Sequence, residues 1–182
     1  MDILVTRRLT LRPPLDVDAE AITAGLQDAN VSRMLSNVPN PYTVVEANKW
    51  IKKTQNAKDD LYLCIYRHKF LGVVTIRKDE DGVANLGYWL EQSAWGQGFM
   101  SEAARAAVSH AFRKFGHDRI VSGAYEDNRA SMTILEKLGF EPDRAIVDHN
   151  PTRKCEVTCN KVVLTRERFE SLFGSLDTSA AA

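Results

Sequence analysis

The chain has 182 residues, of which 44% are hydrophobic, 26% charged and 8% aromatic. This is the composition of a globular protein long enough to bury about 70% of its unfolded surface without staples or metals, and it excludes a disordered or fibrous chain. Twenty-four basic residues balance twenty-four acidic ones, so no net field gathers nucleic acid or an anionic membrane.

No stretch approaches the roughly 20 apolar residues of a membrane helix, and the start Met1-Asp2-Ile3-Leu4-Val5 lacks a basic region before an apolar one. The odd set Cys64, Cys155 and Cys159 fits reduced thiols in a cytoplasmic protein. Cys155 and Cys159, with His149 nearby, match no zinc spacing and lack a fourth ligand, so no metal is expected.

In chain order, Thr6 to Leu11 alternates in period two and predicts one strand, closed by Pro13-Pro14. Asp16 to Leu26 and Val44 to Gln55 predict helices, separated by the loop Asn37-Val38-Pro39-Asn40-Pro41-Tyr42. Tyr42 is either a packed ring or a substrate contact. The runs Leu61 to Tyr66, Phe70 to Ile76 and Ala84 to Leu90 predict an antiparallel meander, with His68 solvated at a hairpin tip. From Met100 to Phe115 the apolar residues fall at steps of three and four, a helix with a small-residue stripe stopped by Gly116. Ile120 to Tyr125 is a strand. Asn128 opens a helix with Ser131, Ile134, Leu135 and Leu138 on one face, ended by Gly139. Ala145 to Val147 and Cys155 to Leu164 follow as strands, then a helix from Arg166 to Phe173. One domain is expected over 1–174, with a frayed tail over 175–182.

The order Trp89-Leu90-Glu91, Trp95-Gly96-Gln97-Gly98-Phe99, helix from Met100 has chemical content. A strand, a glycine loop and a helix N-terminus present free N–H groups and the positive end of a dipole to an anion such as a pyrophosphate. Alternate glycines let the backbone approach the ligand. A dinucleotide-binding unit does not fit, because short turns join the preceding strands. A phosphate loop with lysine and serine does not fit either, because Phe99-Met100-Ser101 supplies no lysine.

Trp95-Gly96-Gln97-Gly98-Phe99-Met100-Ser101-Glu102-Ala103 resembles the acetyl-CoA loop of GCN5-related acetyltransferases, above all its ribosomal-protein N-terminal (Rim-type) branch. Asn128-Arg129-Ala130-Ser131 through Leu138-Gly139-Phe140 resembles the family's second motif, and Thr6-Arg7-Arg8-Leu9-Thr10-Leu11-Arg12-Pro13 resembles the branch's usual start. The resemblance implies an α+β fold (mixed α/β): a largely antiparallel sheet of about six to seven strands flanked by helices, with an acetyl-CoA cleft between the central strands. It implies that backbone at Trp89, Leu90 and Glu91 bonds pantetheine, that the loop from Trp95 through Gly96, Gln97, Gly98 and Phe99 to Met100 holds the pyrophosphate, and that Asn128 and Ser131 contact the pantetheine arm or thiol. Capping of the helix is the other reading of Asn128 and Ser131.

Three departures bear on the chemistry. Met100 is bulkier than usual for the loop. Leu135 stands where many relatives carry the tyrosine that protonates the thiolate, which leaves Ser131 as the hydrogen donor. Gly123 stands where some relatives carry a glutamate base, which leaves Glu91 or Glu126, or water. Neither Cys155 nor Cys159 has an evident histidine partner, so direct transfer is expected rather than an acetyl-cysteine. The partners implied are acetyl-CoA and an amine, either a protein N-terminus or a small molecule such as a polyamine, amino acid or aminoglycoside, acted on by a monomer or homodimer. A catalytically silent acyl-CoA-binding module is the reading from another class. The segment Asn30 to Gln55, which would shape the acceptor site, carries Glu46 as its one acidic residue and no readable specificity code.

Overall fold

The computed structural model describes residues 3–36, 38–79, 81–150 and 152–176. Asn37 of the expected loop and residues 177–182 of the expected tail lie outside them. Strands β1 (Leu4–Val5), β2 (Thr10–Arg12), β3 (Leu61–Arg67), β4 (Lys69–Lys78), β5 (Ala84–Leu90), β6 (Arg119–Tyr125), β7 (Glu141–Asn150) and β8 (Cys155–Thr165) form one sheet in the order β1-β2-β3-β4-β5-β6-β8-β7. Every neighbouring pair is antiparallel except β5 and β6, which run parallel. A parallel pair needs a crossover, and α4 (Phe99–Phe115) supplies it.

The eight strands exceed the six to seven expected, because the single opening strand is a hairpin. Thr6 N–H bonds Leu9 O at 2.9 Å and the Thr6 hydroxyl accepts from Leu9 N–H at 3.1 Å, so the chain folds back through Arg7 and Arg8. Strand β7 is also longer than its apolar centre predicted. It is an edge strand exposed along most of its length, so ladder bonds to β8 rather than an apolar alternation define it.

Helices α1 (Ala19–Gln27), α2 (Ala29–Ser32) and α3 (Val44–Gln55) cover one face of the sheet, where Ile22, Leu26, Ala47 and Ile51 pack on Cys64, Phe70, Val73 and Trp89. A 3₁₀ turn, Asp16–Asp18, replaces the first turn of the helix expected from Asp16, held by Leu15 N–H donating to the Asp18 carboxylate at 2.8 Å. Tyr42 is buried in this core, as a packed ring. Helices α4, α5 (Arg129–Lys137) and α6 (Arg166–Phe173) cover the other face. The small stripe of α4, with Ala103, Ala104, Ala107 and Ala111 fully buried, lets its axis lie close to Leu63, Val74 and Leu86. Burial on both faces is why β3 and β4 read as continuous apolar runs. His68 alone joins them, at φ 64°.

Candidate active site

After β5, a short 3₁₀ turn (Gln92–Ala94) leads to the glycine loop and α4. Gly96 and Gly98 have φ of 71° and 74°, the left-handed region that suits glycine. Gly98 is the N-cap of α4, and no side chain caps that helix, so its first-turn N–H groups and positive dipole end face outward. A Cβ at Gly96 would meet nothing within 4 Å, so the loop lies open. Phe99 and Met100 turn their side chains into the core, at 3% and 4% exposure. The bulk of Met100 therefore fills the core and does not tighten the loop. Gln97 folds back to donate to Ser93 O at 3.0 Å, and the Trp95 indole N–H donates to Leu90 O at 2.9 Å.

The β1–β2 turn clamps this loop. Glu102, in the first turn of α4, accepts from the Thr6 hydroxyl at 2.6 Å, Arg8 N–H at 2.8 Å and Arg8 Nε at 2.6 Å. Arg8 also donates to Gln97 O at 3.0 Å and lies over the Phe99 ring, 4.7 Å from its centroid. Burial pushes the Glu102 carboxyl up, but the hydrogen bonds from Thr6 and Arg8 outweigh it and hold it below its usual value. The negative charge of Glu102 beside an anion loop is thus neutralised, and the Arg8 guanidinium stands within 3.4 Å of where a Cβ on Gly98 would be. Reading Thr6 to Pro13 as a family resemblance missed this tie, since no local periodicity links residues 94 apart.

Beside the loop the sheet opens. Register between β5 and β6 is confined to Ala84–Ile120 and Asn85–Val121, and one further tie follows, from the Ser122 hydroxyl to Leu86 O at 2.9 Å. Glu91 N–H donates to Leu71 O at 2.8 Å, so by antiparallel alternation Glu91, Trp89 and Gly87 direct their backbone groups toward β4. A Cβ on Gly72 would collide with the Trp89 carbonyl, which fits that orientation. Tyr88 and Leu90 direct theirs into the gap. Of the three residues expected to bond pantetheine through backbone, Leu90 alone faces the opening; Trp89 and Glu91 are turned to the neighbouring strand. The Trp89 ring packs against Phe70 on the α1 side.

Helix α5 forms the far wall. The Asn128 side chain accepts from Ser131 N–H at 3.2 Å, the capping role that Asn favours. Ser131 Oγ lies 2.9 Å from the Tyr88 hydroxyl. Tyr88 was overlooked in the sequence because it sits inside the apolar run of β5; alternation with Leu86 and Leu90 was the signal that it faces α5. Leu135 is fully buried in the core. At Gly123, a Cβ would lie 2.9 Å from Lys161 Cδ and 3.1 Å from Cys159 Sγ, so a larger side chain at this strand position would have to displace those two side chains.

The two glutamates considered as bases lie apart from Ser131 in their contacts. Glu91 pairs with Lys69 at 3.0 Å and Glu126 is exposed. Glu91 also borders a cavity of about 480 Å³ with Ala24, Gly25, Asp28, Gln92 and Ser93. On this side of the gap, Asp127 accepts from Arg33 at 3.0 Å and from Arg153 at 2.9 Å, and buried Asn150 donates to Arg33 O at 3.1 Å. The segment after α2 is thereby fastened to the turns before α5 and β8. A second groove, of about 920 Å³, follows the outer face of α4 past Arg7, Ser101, Arg105 and Lys137.

Residues 8–141 match the acetyltransferase (GNAT) domain family, and the chain belongs to that family. It is an N-acetyltransferase. The uncharacterized N-acetyltransferase YoaA of Bacillus subtilis (strain 168) is 30% identical over 148 residues, 78% of this chain and 84% of YoaA. The structure of RimL, a ribosomal L7/L12 alpha-N-protein acetyltransferase in complex with coenzyme A, is similar at a TM-score of 0.78 and 20% identity, over 90% of this chain and 98% of that one. The spermidine N-acetyltransferase from Vibrio cholerae, in complex with CoA and spermine, reaches a TM-score of 0.78 at 15% identity, over 90% of this chain and 99% of that one. At these identities the structural likeness is one of fold.

Proposed function

We propose that this N-acetyltransferase takes its acetyl group from acetyl-CoA and passes it by direct attack to a primary amine, with a protein N-terminal α-amine as the first candidate. The observation that carries the reading is the parting of β5 from β6 beside the uncapped, glycine-ended N-terminus of α4. Pantetheine would enter the gap as an added strand on Leu90, the pyrophosphate would take the N–H groups from Gly96 to Met100, and the adenosine end would leave toward Arg105 and Lys137. Arg8, bonded to Glu102, keeps that carboxylate from repelling the anion. The reading treats residues 1–174 as one domain, acting as a monomer or homodimer in the cytoplasm, where the free cysteines Cys64, Cys155 and Cys159 stay reduced.

The amine attacks the thioester carbon, the N–C bond forms, and the oxyanion takes a hydrogen bond from Leu90 N–H. Collapse breaks the C–S bond and leaves the electron pair on sulfur, beside Ser131. An α-amine, with a reference pKa of about 8, is roughly a tenth neutral at pH 7, so water suffices to take its proton. That matches the engagement of Glu91 with Lys69.

The second reading is a small amine. The cavity bordered by Asp28 and Glu91 favours it, because Asp28 places a carboxylate near the end of β5 that attracts a cation, Glu91 being already paired with Lys69. Acetyl-CoA offered with N-terminal peptides, polyamines, amino acids and aminoglycosides separates the two, with thiol release and acceptor mass as readouts. Acetylated peptide supports the first reading and acetylated polyamine the second. Turnover of neither, with acetyl-CoA bound in calorimetry, overturns both acceptor readings; no binding overturns the acetyl-CoA assignment.

A further inference from the structure

The Trp95 indole N–H donates to Leu90 O at 2.9 Å, across the short 3₁₀ turn that joins β5 to the glycine loop. Packing does not account for this ring. It is 45% exposed and belongs to neither of the two core clusters, whereas Trp50 and Trp89 pack against the second. Its hydrogen bond fixes one peptide group. The peptide between Leu90 and Glu91 is held from both sides: its N–H, on Glu91, donates to Leu71 O of β4 at 2.8 Å, and its carbonyl accepts from the indole. Strand β6 pairs with β5 only as far as Asn85. Trp95 therefore takes the place of the neighbouring strand that would otherwise supply a donor to Leu90 O.

We propose that Trp95 is a positioning residue for acetyl transfer: its indole occupies Leu90 O and so makes the gap edge of Leu90 a hydrogen-bond donor, aimed at the thioester carbonyl. The inference rests on the acetyl-CoA reading above. An ordinary strand edge presents an N–H and a C=O from the same residue and pairs with an amide that offers both. At Leu90 the carbonyl is taken and the N–H is left, so the edge favours a group that only accepts. The oxygen of a thioester is such a group, and it accepts more strongly as negative charge develops on it. Fixing the following peptide also keeps β5 extended at the residue where it has lost one neighbour, and a hydrogen bond weakens steeply as its donor turns away. No proton leaves the indole or the Leu90 N–H, so both end the reaction unchanged.

The first test needs no acceptor. Acetyl-CoA with an isotope-labelled acetyl carbonyl is bound to the full chain as wild type, Trp95→Phe and Trp95→Ala, and thermal melting checks that each variant is folded. The infrared stretch of the labelled carbonyl is compared with that of free acetyl-CoA, because a hydrogen bond to the oxygen lowers it. Wild type is expected to show the largest shift to low frequency. Trp95→Phe and Trp95→Ala are expected to show smaller shifts equal to each other, since both lack the N–H. With the acceptor found by the panel above, kcat falls about tenfold in both variants while KM for acetyl-CoA holds within about threefold. That loss is smaller than the roughly hundredfold or more of a deleted oxyanion donor, because the Leu90 N–H itself remains. A wild-type shift and kcat in Trp95→Phe overturn the role of the indole. So does an effect confined to KM, which makes Trp95 a support of the anion loop. Bound acetyl-CoA with no shift in wild type overturns the Leu90 donor and leaves the acetyl-CoA reading standing; failure of wild type to bind acetyl-CoA overturns both.

Discussion

Helices α4 and α5 flank the same opening in the sheet, yet they begin in opposite ways. The Asn128 side chain closes the start of α5 by accepting from Ser131 N–H, so one of that helix's orphan donors is satisfied from within. The start of α4 is Gly98, at φ 74° and with no side chain to offer. Its N–H groups and dipole remain available to an anion, while the helix is held by Thr6 and Arg8 through Glu102 instead. A capped end makes a fixed wall and an open end makes a binding wall. A cofactor that must be gripped at its phosphates and positioned at its thiol needs one of each.

The comparison breaks most sharply at Gly98. Gly98→Asp puts a carboxylate where the pyrophosphate would lie and a Cβ in the left-handed region, so acetyl-CoA affinity by calorimetry is expected to fall at least about 100-fold. Affinity within twofold of wild type would mean that the open end is not the anion site.

Glu102→Gln should do less, because it loosens the clamp and leaves the loop in place. KM for acetyl-CoA is expected to rise roughly three- to tenfold. Its pH signature is separate. A carboxyl held below its ordinary value adds stability that is fully present above the unfolded pKa, about 4.3, and is lost as pH falls through the lower folded value. Melting temperature against pH should therefore drop less steeply on the acid side for Glu102→Gln than for wild type; equal slopes would remove Glu102 from the acid response.

The smallest effect is expected at Asn128. Asn128→Ala removes a cap worth about 1 kcal/mol and should lower the melting temperature by roughly 2–4 °C, with acetyl-CoA affinity changed by less than about threefold. A larger loss of affinity at constant stability would show that Asn128 binds the cofactor as well as capping its helix.

The glycine loop was readable because its function is written in the backbone: Gly96 and Gly98 can adopt a conformation that other residues resist, and their spacing before an amphipathic stripe marks a helix start. The helices were readable for a similar reason. Period 3.6 survives in α4 and α5 because each buries one face. The opening hairpin was not readable, since Leu9 and Leu11 alternate as in any strand and the reversal through Arg7 and Arg8 depends on Glu102, far along the chain. Strand β7 was under-read because an exposed edge is held by backbone bonds and carries no hydrophobic signature.

The sequence by itself determined the order of strand, anion loop and helix, the small stripe that brings α4 against the sheet, and the cap at Asn128. Each is a local matter of backbone freedom, side-chain size or a hydrogen bond three residues away. Tertiary structure decided where β5 parts from β6, which backbone groups face that gap, and which side chains meet across it. The Tyr88–Ser131 pair and the Arg8–Glu102 clamp join positions 43 and 94 residues apart, through contacts that no periodicity encodes. They exist because packing on both faces of the sheet brings separate segments within hydrogen-bond reach.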